Sequence, residues 1–322
     1  MAVEAGADIL VHSIDDKILD EPMLRLLKTK NIVYIPTLQV YDNYLRIRTQ
    51  NFSFTSHDFN YANPFMLGST MDLQHINSAI SGIDYKYFQS ILKLPNSTDS
   101  IQAKNLSLVM QAGINVVAGT DAGNIGTHHG SSFLKELEMM KSAGLNELDI
   151  LRSCTINAAK GFGKENEWGS IENNKIADIL LLDKNPLIDL STLNNIPTVI
   201  HRGVVINTKE LLLLSPEILV QQQLNAYNAR DLEAFLTSYS DSVELYNFPN
   251  TLIAKGKEQM KKGYVDMFKN TPDLHCEIVE HIVLGNTIID HERVSGFGNN
   301  KIEAVAIYEI EKGKIVRVYF KN

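Results

Sequence analysis

Short apolar runs alternate with amphipathic stretches over the first 160 residues. Ala7-Asp-Ile-Leu-Val11 has strand length and stops at His12-Ser13. Asp20-Glu-Pro-Met23 carries helix start signals, since Asp20 suits a cap and Pro22 a first turn. Met23, Leu26 and Leu27 make the apolar stripe of that helix, and Ile32 to Ile35 predicts the next strand, ended by Pro36. Residues 41–100 are polar and aromatic with weak periodicity, which predicts a helical insertion with loops. The alternation then resumes. Gln102 to Ala112 predicts a helix closed by Gly113, and Ile114 to Ala118 a strand followed by Gly119-Thr120-Asp121-Ala122-Gly123. Ser131 or Ser132 is placed to cap a helix bearing Phe133, Leu137 and Met140, and Asn146 caps another that runs to about Ala159. Strands spaced by helices imply βα units and a parallel sheet.

From Trp168 to Asn207 the pattern changes to short strands at Ile176–Leu182, Thr198–Ile200 and Val204–Ile206, with turns at Asn185-Pro186 and His201-Arg-Gly203. Residues 210–215 read as a linker, and Pro216 opens a new region of two helices and several long antiparallel strands. In its last hairpin, Ala304–Ile310 and Lys314–Phe320 are joined by Glu311-Lys-Gly313.

The length of 322 residues suits two domains. Thirty Lys and Arg against 38 Asp and Glu give −8, which argues against a nucleic-acid surface. Two cysteines, Cys154 and Cys276, exclude a disulfide scaffold and a Cys-rich zinc module. No apolar run approaches the roughly 20 residues of a membrane span. The first residues lack a basic region followed by an apolar one, so no signal peptide and a cytoplasmic location are expected.

His12 follows one predicted strand and Asp121 another. In a parallel barrel, side chains just past the C-terminal strand ends converge on one rim. An imidazole and a carboxylate there suit a divalent metal such as zinc, and the carboxylate can take a proton from a water that the metal acidifies. The competing reading is a capped loop in which both side chains satisfy backbone groups.

Ala5-Gly-Ala-Asp-Ile-Leu-Val-His12, Ile35-Pro-Thr-Leu38, Gly119-Thr-Asp-Ala-Gly123 and His129-Gly130 with Glu136 occur in the order found in the second half of metal-dependent amidohydrolases. The sequence most resembles the imidazolonepropionase-like and Xaa-Pro-dipeptidase-like branch. Ala177-Asp-Ile-Leu-Leu-Leu-Asp183 and His201-Arg-Gly203 resemble its closing segment. The resemblance implies an α/β fold: a partial (β/α)8 barrel holding strands 6–8 over residues 1–165, with a β-sandwich remnant at 166–209. It further implies hydrolysis of a C–N bond in an amide, cyclic amide or dipeptide. His12 would be a metal ligand, Asp121 a ligand and the general base, and His129 would face a small-molecule substrate. Read by itself, His129 is a loop histidine beside a helix N-terminus, and His57, His75 and His128 read as solvated surface.

Complete members of that family supply a His-x-His pair, a further Lys or acidic ligand and another His, and no His-x-His occurs in this sequence. The chain is therefore expected to be the C-terminal portion of an amidohydrolase, inactive alone and partnered by an upstream half. A truncated gene, a misplaced start or a split protein would each produce it.

Residues 216–322 resemble the nuclear transport factor 2-like, or SnoaL-like, fold. Gln221 to Asp231 with Phe235 and Tyr239 give its opening, and Gly285 to Glu292 and Ala304 to Ile310 give its sheet strands. The resemblance implies an α+β cone around an apolar pocket, with Tyr246, His291 and Tyr308 as candidate pocket residues. The plain reading is a dimerising or accessory domain, a non-catalytic part that either binds a small apolar ligand or pairs chains into a homodimer. An isomerase-like or cyclase-like activity is the other reading.

Overall fold

Three short parallel strands organise the first part of the chain. In this computed structural model, which describes residues 2–91, 100–208 and 215–321, β1 (Ile9–Val11), β2 (Val33–Ile35) and β3 (Asn115–Val116) lie side by side in that order. Ile9 pairs with Val33, and Val33 with Asn115. α1 (Glu21–Thr29) connects β1 to β2, with the Asp20 carboxylate accepting the Met23 amide at 3.0 Å and Pro22 in the first turn. Parallel strands need such crossovers. Between β2 and β3 come α2 (Leu38–Thr49), α3 (Ser56–Tyr61), α4 (Pro64–Asp72), α5 (Ser78–Ser81), α6 (Tyr85–Ile91) and α7 (Ile101–Gln111). After β3 follow α8 (Ser132–Ser142), α9 (Glu147–Ser153) and α10 (Ile156–Gly161).

This unit comprises Met1–Asn51 with Ser78–Leu211. Its core gathers Leu27, Ile32, Tyr34, Leu106, Val116, Leu137, Met140 and Ile150, the apolar positions of the alternating pattern. The expected cap of α8 is not formed. Ser131 has helical rather than extended angles, and the buried hydroxyls of Ser131 and Ser132 have no hydrogen-bond partner among the described residues. β4 (Ile179–Leu181), β5 (Thr198–His201) and β6 (Val204–Ile206) form a small antiparallel sheet of their own.

The second unit comprises Phe52–Asn77 with Leu212–Asn322. It contains α11 (Pro216–Ala229), α12 (Leu232–Thr237), β7 (Tyr239–Asn247), β8 (Thr251–Lys255), α13 (Lys257–Asn270), β9 (His275–Leu284), β10 (Thr287–Gly296), β11 (Gly298–Glu311) and β12 (Lys314–Lys321). The strands make one sheet in the order β8-β7-β12-β11-β10-β9, antiparallel except between β12 and β7. Helices cover its inner face, and Phe235, Val243, Met260, Leu274, Ile288 and Val318 fill the core.

Residues 52–77 depart from the expected division, which kept the whole insertion with residues 1–165. They fold with the C-terminal unit instead. Ala62, Leu67 and Met71 are buried there, and the Asn225 amide donates to the Pro64 carbonyl at 2.7 Å. Gly68 permits the approach of α4 to α11, because a Cβ there would stand 2.8 Å from Asn225 Oδ1. Apart from Ser215, which caps α11, the expected linker lies outside the described residues.

Candidate functional site

The three parallel strands end on the same side, and each is followed by a polar residue in the left-handed region. His12 (φ 74°) follows β1, Thr37 (φ 44°) follows β2 and Asp121 (φ 51°) follows β3. Such backbone strain in non-glycine residues concentrates at functional sites. The His12 amide is anchored on the Ile35 carbonyl at 3.0 Å. Its Nδ1 meets Thr37 Oγ1 at 2.7 Å, which leaves Nε2 directed to Asp121 Oδ2 at 3.7 Å. Asn124 Nδ2 donates to the same Asp121 oxygen at 2.7 Å, and the Tyr44 hydroxyl donates to Asn124 Oδ1 at 2.8 Å. These residues line a cavity of about 300 Å³ that also contains Asp15 and Gln102.

Beside this cavity, Glu136 is fully buried. Its carboxylate accepts the amides of Leu38 and Gln39, at 2.8 and 3.0 Å. Burial pushes its pKa up to about 7, against the lowering effect of those two amides. It thereby secures the first turn of α2, on which Thr37 depends.

His12 and Asp121 are thus brought together, and His129 is not. His129 is exposed, near Gly123, and does not line the cavity. Of the histidines expected to be solvated, His128 is buried and His57 is half-buried against Tyr61, where neither His57 ring nitrogen is hydrogen-bonded among the described residues. His75 keeps one side in solvent and stacks on His275 at 3.8 Å. Partial burial, and then the His275 ring, push its pKa down to about 4.

In the second unit a cavity of about 400 Å³ opens between helices and sheet, and Tyr308 lines it. Tyr246 and His291 do not. Tyr246 stacks on Tyr319 and donates to Glu244, while His291 pairs with Glu303 at 2.7 Å. The pleat explains this, because side chains alternate along β10. Ile288, Asp290, Glu292 and Val294 share the buried face, so His291 takes the other. Sequence reasoning missed Glu292. The two-residue period from Ile288 to Val294 was the signal that could have found it.

The donor chemistry of the first site suits a divalent metal only in part. Two donor atoms 3.7 Å apart can meet one cation. A catalytic zinc usually takes three protein ligands and a water. Among the described residues no group of three or more His, Cys, Asp or Glu is positioned to hold a metal.

Two family models match the chain. Residues 71–209 match the model of the Amidohydrolase family, and residues 220–318 match that of a SnoaL-like domain. The chain joins an amidohydrolase-family segment to a SnoaL-like domain. Asp121, His129 and Glu136 fall inside the amidohydrolase-family match, and His12 lies ahead of it. Similar solved structures include a Xaa-Pro dipeptidase with bound methionine in the active site: 20% identity, 64% of this chain, 41% of that one, TM-score 0.44. A molinate hydrolase is 19% identical over 66% of this chain and 41% of its own, with a TM-score of 0.43. The chain therefore spans less than half the length of these two. The SnoaL-like domain is similar to a cystatin-fold protein from Novosphingobium aromaticivorans: 25% identity, 33% of this chain, 97% of that one, TM-score 0.32. No curated protein matches the chain significantly. No helix among the described residues is long and apolar enough to cross a membrane.

Proposed function

We propose that the amidohydrolase-family segment is the metal-binding part of a hydrolase that cleaves C–N bonds in amides, cyclic amides or dipeptides. Its three parallel strands correspond in this reading to strands 6–8 of a (β/α)8 barrel. The observation that carries the proposal is the convergence of His12 and Asp121 past the ends of β1 and β3, each in a left-handed conformation. Two donors cannot hold a catalytic zinc well, so the site takes further ligands from outside the described residues, as a complementary half of the barrel would supply.

When bound, a divalent metal polarises the scissile carbonyl and acidifies water. The residues of this chain orient and move the proton. Thr37 fixes the His12 ring through Nδ1, so that Nε2 faces the site. Asn124 holds Oδ2 of Asp121, which accepts the proton and passes it to the leaving nitrogen.

Cobalt titration of the full chain, followed by visible absorption, tests the reading. We expect weak binding that His12→Ala and Asp121→Asn each reduce, and well under one metal per chain after dialysis. Binding unchanged in both variants would reject His12 and Asp121 as ligands.

A further inference from the structure

The cavity of the SnoaL-like domain has one charged residue in its lining. That residue is Glu292, and among the described residues no Lys, Arg or His accompanies it. Seven other lining residues are aromatic, and five of them come from α11, α12, α13, β7 and β11: Tyr227, Phe235, Tyr264, Tyr239 and Tyr308. Most of them pack on one another, with ring centroids of Phe235 and Tyr264 4.6 Å apart and of Phe235 and Tyr239 5.0 Å apart.

A directed chain of hydrogen bonds ends on the carboxylate. The Tyr239 hydroxyl donates to Gln223 Oε1 at 2.9 Å, Gln223 Nε2 donates to the Tyr308 hydroxyl at 3.2 Å, and Tyr308 donates to Glu292 Oε1 at 2.8 Å. Every link points its positive end towards Glu292. The cavity is thus built around a buried acceptor that no cationic side chain neutralises. We propose that this cavity binds a small organic cation, a protonated amine or quaternary ammonium, with Glu292 as its counter-ion and the aromatic rings as its cage.

Electrostatics favour that occupant over the others. An anion would meet Glu292 without a compensating charge. A neutral apolar molecule would leave the carboxylate desolvated and without a counter-charge, which is costly. A cation satisfies the carboxylate and gains from the aromatic rings, an interaction strongest when water is excluded. The groups facing Glu292 do not supply the charge themselves. Tyr227, Tyr239, Tyr264 and Tyr308 are pushed up by burial and stay neutral near pH 7, as does Cys276 on β9. The remaining charged neighbour is Asp290, two positions along β10 and paired with His281, whose other ring nitrogen faces Glu217 on α11. Asp290 raises rather than lowers the proton affinity of Glu292, behind the larger effect of burial. Proton and ligand therefore compete for one carboxylate. This inference concerns the SnoaL-like domain and does not rest on the hydrolase reading.

The test is calorimetric titration of the full chain with choline and with dimethylbutanol, its neutral tert-butyl isostere, between pH 5.5 and 8.5. We expect choline to bind roughly tenfold more tightly than the isostere at high pH. Its affinity should fall with decreasing pH, approaching about tenfold per unit once Glu292 is protonated. Glu292→Gln should remove the preference and the pH dependence together. The pH series on the unmodified chain decides the matter even where the variant folds poorly. Equal binding of the two probes overturns the proposal. So does affinity that rises as pH falls, which would make the protonated carboxyl a donor to a neutral ligand.

Discussion

Glu136 and Leu38 are joined across 98 residues of chain by a hydrogen bond of 2.8 Å from the Leu38 amide to a carboxylate oxygen. The bond replaces a cap that α2 lacks. Thr37 occupies the N-cap position with positive φ and makes no capping hydrogen bond. A helix start leaves its first amides unpaired and carries partial positive charge. Glu136 satisfies the Leu38 and Gln39 amides from α8, and Thr37 is left to hold His12.

Glu136→Gln should therefore destabilise the amidohydrolase-family segment. An amide presents one acceptor oxygen, so one of the two backbone amides loses its partner in a dry site, a cost of about 1–3 kcal/mol. Trp168, the single tryptophan, lies in this unit, and urea denaturation followed by its fluorescence reads the loss. An unchanged midpoint would show that water reaches the turn.

Thr37→Val tests the next link. The His12 ring would lose its anchor at Nδ1 while the volume of the side chain is kept. Removing the partner of a ligating histidine commonly costs 10–100-fold in metal affinity. We expect about tenfold weaker cobalt binding in Thr37→Val and recovery in Thr37→Ser, with the same denaturation midpoint in both.

His12 and Asp121 could be picked out because His12 stands directly after one apolar run and Asp121 follows another after Gly119-Thr120, and strand ends are where a parallel sheet gathers its chemistry. Asp20, Pro22 and Asn146 likewise act through local rules, and the structure uses them as read. What the sequence hid is what depends on distant partners. Glu136 looks like an ordinary helix residue until α8 meets the start of α2. Glu292 looks like part of a polar run until the pleat of β10 turns it inward. Residues 52–77 have weak periodicity because their apolar side chains serve a core supplied by α11, more than 140 residues later.

Gly296 should be among the least replaceable glycines. It has φ 106° at an irregularity in the pairing of β10 with β11, and a Cβ there would stand 2.7 Å from the Asp273 carbonyl oxygen and the Leu274 Cα. Backbone atoms cannot swing aside as a side chain can. Gly296→Ala should cost more than about 2 kcal/mol, well above the roughly 1 kcal/mol typical of substitutions. Near-ultraviolet circular dichroism of the tyrosine-rich core measures it.

Asn225→Ala should release α4 from α11. The buried Pro64 carbonyl loses its donor, and about 1–3 kcal/mol is expected in local stability. Hydrogen exchange should show lost protection over 64–72, with the sheet strands still protected. Uniform loss across the SnoaL-like domain would instead make residues 52–77 an inseparable part of its folding unit.

The pH dependence of the SnoaL-like domain should carry the mark of Glu292. Burial raises its pKa to about 7 in the folded state, against an ordinary value of 4.5. Between those values the folded chain holds a proton that the unfolded chain has released, so stability falls as pH rises. The contribution is complete below about pH 4.5 and is lost as pH passes 7. It amounts to at most about 3 kcal/mol. Asp290, also raised by burial, adds in the same direction. Glu292→Gln is neutral in both states and can still accept from Tyr308, so it should flatten the slope between pH 5 and pH 8 rather than shift the whole curve. Urea melts of the two proteins, followed by tyrosine circular dichroism at each pH, give the comparison. Parallel slopes would mean that Glu292 is hydrated in the folded domain and titrates as it does in the unfolded chain.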